Sequence, residues 1–96
     1  MEAASSESPA AARSQRNDDA SAEAAKEEGN RLLKEGRVQQ AIEAYTDAIE
    51  AAPTGKNVHI YFANRSAARV TAKDYNGAVE DAQSAVDADG AEAAGG

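Results

Sequence analysis

A chain of 96 residues with 42% hydrophobic side chains and a formal net charge of −7 has room for one small domain. The excess of acid argues against a nucleic-acid phosphate backbone or an anionic membrane as partner, and the lack of cysteine excludes disulfides, thiolate metal sites and a cysteine nucleophile. No apolar run approaches the ~20 residues that span a bilayer, and no apolar signal-peptide core follows Met1, so a cytoplasmic protein is expected.

Residues 1–20 are mostly Ala, Ser, Asp, Glu and Arg. They cannot bury enough surface to offset their ordering entropy, which predicts a disordered tail. Ser8-Pro9 has the form of a proline-directed phosphorylation site, but such dipeptides are common in tails and no role is assigned to it. Ser21 can cap a first helix over 21–35, with Glu23 in its first turn and Ala25, Gly29, Leu32 and Leu33 on its inner side. Gly29 costs about 1 kcal/mol relative to alanine in a helix interior; the expected return is the close approach of a neighbouring helix backbone. Gly36 breaks this helix, and a second runs over 38–52.

In that second helix Val38, Ala41, Ile42, Tyr45, Ala48, Ile49 and Ala52 recur at steps of three and four, forming one apolar stripe with Gln39, Glu43, Asp47 and Glu50 facing away. Pro53, Thr54 and Gly55 end it. Asn57 can cap a third helix over 58–72, whose stripe of Val58, Tyr61, Phe62, Arg65 and Ala68 is less clean, and Asp74 can cap a fourth over 75–88. Residues 91–96 read as a flexible end. The second stripe returns as Tyr75, Ala78, Val79, Ala82, Ala85 and Val86, each 37 positions after its counterpart (75 − 38, 78 − 41 and so on). The offset marks an internal repeat, and four helices with short turns predict an all-α fold of two helical hairpins in tandem.

These residues resemble the tetratricopeptide repeat (TPR), a 34-residue helix–turn–helix unit that stacks into a superhelix. A first repeat over about 22–55 matches at Gly29, Leu32, Gly36, Ala41, Tyr45, Ala48 and Pro53. A second over about 59–90 matches at Phe62, Ser66, Tyr75, Ala78 and Ala85. It departs where Arg69 replaces a large apolar residue, Lys73 the turn glycine and Gly90 the closing proline, and the 37-residue offset implies a three-residue insertion in the linker Pro53–Asn57.

A narrower resemblance bears on function. Lys26-Glu27-Glu28-Gly29-Asn30 and Asn64-Arg65-Ser66-Ala67-Ala68 are similar to the carboxylate-clamp subclass of co-chaperones. In that subclass the inner groove grips the C-terminal Glu-Glu-Val-Asp tail of cytosolic heat-shock chaperones. The resemblance implies a partial clamp of Lys26, Asn30 and Asn64: a charge for the terminal carboxylate and two amides that donate hydrogen bonds. Lys26 and Asn30, four apart, share a helix face. Leu33 and Val70 are candidate groove-lining residues, which core packing explains equally well. The lysine and arginine that the subclass takes from a third repeat have no counterpart in these 96 residues, so modest affinity is expected.

Taken alone, Lys26 reads as a solvated lysine, Asn30 as a surface group, Tyr45 and Tyr75 as core aromatics, and His59 as an exposed structural residue. No Gly-x-Ser-x-Gly turn accompanies His59, the single histidine, and the acids fall mainly on solvated faces rather than at metal-ligand spacing. No catalytic residue, metal or cofactor is therefore expected. The readings left are a non-enzymatic peptide-binding module and a structural scaffold, the latter self-associating through the uncapped last helix.

Overall fold

The computed structural model describes the backbone of residues 17–95 and the side chains of residues 17–89. The expected tail up to residue 16, with Ser8-Pro9, lies outside the described residues. Among the described residues there are four helices: α1 (Asp19–Lys34), α2 (Val38–Ala51), α3 (Val58–Thr71) and α4 (Tyr75–Gly95). They pair as two hairpins, α1 on α2 and α3 on α4, joined where α2 packs on α3.

The first helix starts earlier than the sequence suggests. Asp18, not Ser21, is its cap: the Asp18 carboxylate accepts from the Ser21 backbone N–H at 3.1 Å and from the Ser21 hydroxyl at 2.7 Å. A carboxylate at this position also meets the positive end of the helix dipole. Distant groups fix the choice. The Asp18 N–H donates to the Ala51 carbonyl at 2.8 Å, and Asn17 exchanges hydrogen bonds with Thr54. Residues 17–20 therefore belong to the fold rather than to a tail, and the longer linker is held at Thr54.

Both hairpins turn in the same way. After α1, the Gly36 N–H donates to the Leu33 carbonyl and the Arg37 N–H to the Leu32 carbonyl, with Gly36 at φ +84°. After α3, Lys73 and Asp74 donate to Val70 and Arg69 in the same pattern, with Lys73 at φ +67°. These are paired Schellman closures, which need a left-handed residue just past the helix. Asp74 caps α4 as expected, its Oδ1 accepting from the Gly77 N–H at 3.1 Å. Asn57 precedes α3 as expected, but its side chain bonds Glu23 instead of the helix end.

The core is thin and alanine-rich. One cluster joins Ala22, Ala48, Ala51, Ala52, Val58 and Tyr61; a second joins Ala41, Tyr45 and Ala68, with Leu32, Leu33 and Ile42 packed against it. Gly29 makes room for a ring and not for a backbone, since a Cβ there would lie 2.5 Å from the Tyr45 ring. Tyr75 corrects the expectation of a core aromatic. It is 58% exposed, and Val79 and Val86 are exposed with it, because no described helix covers that side of α4. His59 is half-buried rather than exposed. The helix α4 runs on to Gly95, past the expected end near Ala88; alanines at 88, 91, 93 and 94 favour helix enough to carry it past Gly90.

Candidate functional site

Lys26 and Asn30 lie one turn apart on α1, and Asn64 lies on α3. What joins these helices is a hydrogen-bond set one turn before the candidate residues. Glu23 Oε2 accepts from the Tyr61 hydroxyl at 2.8 Å and from the Asn57 amide at 3.3 Å, so α1 is tied to α3 three residues ahead of both Lys26 and Asn64.

Lys26 is half-buried and Asn30 is exposed, and both already have partners. The Lys26 ammonium is 2.9 Å from Glu23 Oε1 and 3.6 Å from Glu27 Oε2, and its side chain is 18% exposed. The Glu23 carboxylate holds the Lys26 ammonium above its ordinary pKa. In return the bond from Lys26, and then that from Tyr61, pull the Glu23 carboxyl below the usual carboxylate value. Asn30 Oδ1 accepts from the Tyr45 hydroxyl at 2.5 Å. That bond exists because Gly29 lets the Tyr45 ring pass beneath α1. It leaves the Asn30 NH₂ as the end available to a ligand. Burial pushes the Tyr45 phenol up, and the nearby Lys26 charge opposes the shift. Asn64 is half-buried, and its side chain makes no hydrogen bond among the described residues.

The two candidate lining residues part company. Leu33, seven residues after Lys26 and so on the same line of α1, is half-buried against Ala41, Tyr45 and Ala68. Val70 is 50% exposed, and six residues after Asn64 it stands about a third of a turn off the Asn64 line. Glu23, Tyr45, Tyr61 and Asn57 were not singled out as site residues from sequence. The i, i+3 spacing of Glu23 and Lys26 was a readable signal, whereas the tyrosine hydroxyls arrive from 15 and 38 positions away.

A second polar cluster lies between α3 and α4. Asp81, 3% exposed, accepts from Arg65 Nε and Nη2 at 2.9 and 2.8 Å and from Arg69 Nη1 at 2.9 Å. Arg65 also donates to the Thr46 hydroxyl on α2 and lies over the Phe62 ring. These bonds satisfy the buried charges, and the cluster ties three helices together. Among the described residues no group of three or more His, Cys, Asp or Glu could hold a metal, and no helix is long and apolar enough to cross a membrane.

Over 70 residues, 73% of this chain, the sequence is 43% identical to the small glutamine-rich tetratricopeptide repeat-containing protein 2 of Saccharomyces cerevisiae. The two hairpins are tandem tetratricopeptide repeats. The chain is also 40% identical over 68 residues to the human mitochondrial import receptor subunit TOM70 and 38% identical over 66 residues to Hsp70-Hsp90 organizing protein 2 of Arabidopsis thaliana, each match covering 69% of this chain. The matched stretches make up 19%, 11% and 11% of these three relatives, so the chain spans a fifth or less of their lengths. No protein-family model and no solved structure matches the chain. In TPR terms Lys26 and Asn30 belong to the first repeat and Asn64 to the second, so the candidate groove runs across both.

Proposed function

We propose that this TPR chain is a non-enzymatic, cytoplasmic binding module that receives the free C-terminus of an acidic peptide, with a heat-shock chaperone tail ending Glu-Glu-Val-Asp as the ligand. The observation that carries the reading is the Glu23–Tyr61 bond between α1 and α3, which lies one turn before Lys26 and Asn64 and two turns before Asn30. A carboxylate there meets one ammonium and two amides, and Leu33 supplies apolar wall. The Arabidopsis relative, whose name couples it to Hsp70 and Hsp90, supports the choice of ligand. Titration with Glu-Glu-Val-Asp peptide, free or C-terminally amidated, tests it. The free acid should bind more tightly, and Lys26→Ala and Asn64→Ala should each weaken it; equal binding of the two peptides removes the carboxylate from the mechanism.

A specific observation favours a second reading, a self-associating scaffold. Tyr75, Val79 and Val86 form an exposed apolar stripe on α4, which a second copy could cover. Sedimentation over a hundredfold range of concentration separates the readings, because a monomer throughout excludes the scaffold.

A further inference from the structure

The candidate groove contains a lysine that already has a partner. Lys26 faces Glu23 at 2.9 Å and Glu27 at 3.6 Å, so one cation stands against two carboxylates and the cluster is net negative. Glu23 is not a passing neighbour. Its second oxygen is held from α3 by the Tyr61 hydroxyl and the Asn57 amide, and Tyr61 is fully buried, so the carboxylate cannot swing away without breaking bonds between the repeats.

We propose that Glu23 is a specificity-determining residue of the groove: an internal competitor for Lys26 that stays in place when a ligand carboxylate arrives, so that Lys26 is a shared cation. This rests on the carboxylate-binding reading above. An ammonium has three N–H donors. Glu23 takes one at hydrogen-bonding distance and Glu27 lies at longer ion-pair range, which leaves a donor for a ligand. The ligand then gains one hydrogen bond from Lys26 but little net attraction, and the amides of Asn30 and Asn64 become the larger part of recognition. The lowered pKa of Glu23 agrees with a carboxylate that keeps its charge in the free chain.

The test is Glu23→Gln in the full chain, which preserves length and an oxygen for Tyr61 and Asn57 while removing the competing charge. Calorimetric titration with free-acid Glu-Glu-Val-Asp peptide should show binding about two- to fivefold tighter than wild type, the range of a partly exposed ion pair. The gain should vanish at about 0.5 M salt and be absent for the amidated peptide. NMR of the Lys26 side chain should show its pKa falling in the variant.

Unchanged or weaker binding of the free acid by a folded Glu23→Gln variant overturns the inference, weaker binding showing that Glu23 holds Lys26 in position. If wild type already fails to separate free from amidated peptide, the carboxylate-binding reading itself falls and takes this one with it. If wild type discriminates and the variant gains nothing, only the role of Glu23 is lost. Should the variant lose helicity, the wild-type Glu23 carboxyl resonance, titrated with and without peptide, decides. A low pKa retained in the complex supports the shared cation, and a rise toward ordinary carboxylate values shows displacement and overturns it.

Discussion

The two repeats close the same backbone with different chemistry. In the first, the Tyr45 ring fills the notch at Gly29, Leu32 packs against the same apolar cluster, and Ala44 is buried on α2. Thirty-seven positions on, the equivalents of Gly29, Tyr45, Leu32 and Ala44 are Ser66, Ala82, Arg69 and Asp81. There Ala82 is exposed, Ser66 donates to the Ala78 carbonyl at 2.7 Å, and Arg69 reaches Asp81. The second repeat thus lacks the large ring and replaces part of its seam with a buried ion cluster. A ring needs only a notch, whereas two arginines on one carboxylate need every partner present. The second hairpin should therefore be the more brittle under substitution of its polar residues.

The largest expected effect follows from that. Asp81→Ala leaves Arg65 with only the Thr46 hydroxyl and Arg69 with only Asp74 at 3.7 Å, and losing one partner of a buried pair costs about 3 kcal/mol or more. Side-chain exposures of 15% for Arg65 and 24% for Arg69 place the effect at the low end of that range. Urea unfolding measures it, and a loss below about 1 kcal/mol would show that the arginines simply rehydrate. Adding Arg69→Leu, which restores the residue types found at Leu32 and Ala44 of the first repeat, removes one stranded charge and should recover part of the loss.

The matching probe of the first repeat is Gly29→Ala. Alanine gains about 1 kcal/mol of helix propensity, but the methyl meets the Tyr45 ring at 2.5 Å and overpacks it by about 1–3 kcal/mol. A net loss near 1 kcal/mol is expected in thermal unfolding, and it should disappear in a Tyr45→Leu background. If it persists there, the ring is not the cause.

The sequence told more about the first repeat than about the second. Helix number and the shared turns were legible because apolar spacing and Gly36 act locally. Arg69 and Lys73 stood out only as departures from the repeat, and Asp81 passed for one more acid on a solvated face. Its burial depends on Arg65, 16 positions away. Repeat symmetry alone would bury Tyr75 in the place of Val38, but it lies on the side of α4 that no described helix covers, as expected of an uncapped last helix, and it is exposed. Of the candidate site, residue types and helix faces could be read. The Tyr61 bond that fixes Glu23, and with it Lys26, joins residues 38 positions apart and had no local signature.

A smaller effect tests the shared turn. Gly36 and Lys73 both take positive φ, but only the lysine is strained by it. Relief of that strain, less the entropy that glycine adds to the unfolded chain, should make Lys73→Gly more stable by about 0.5–1 kcal/mol. Gly36→Lys should lose about 1 kcal/mol, since a Cβ at Gly36 meets nothing and only the backbone angle resists. Equal and opposite shifts in the midpoint of urea unfolding would show the turns to be interchangeable. A Lys73→Gly variant no more stable than wild type would mean that the lysine side chain contributes something of its own.

The smallest effect lies at the joint between the repeats and is read through pH. Lys26 and then Tyr61 lower the Glu23 pKa from its ordinary 4.5, so the native state favours the charged carboxylate. The stability this adds is complete above the ordinary value and is lost as pH falls from there through the folded pKa. Lys26 mirrors it, since a raised ammonium pKa adds stability below its ordinary 10.5 that disappears as pH rises through the folded value. With the Glu23 side chain 39% exposed, solvent screening keeps the contribution under about 1 kcal/mol. Unfolding of wild type and Glu23→Gln across pH isolates it. Their difference should be flat near neutrality and shrink toward acid as Glu23 becomes protonated in the native state. A difference that stays constant through the acid range would show that the Glu23 charge adds no stability to the joint between α1 and α3, and that the shape of the side chain alone holds it.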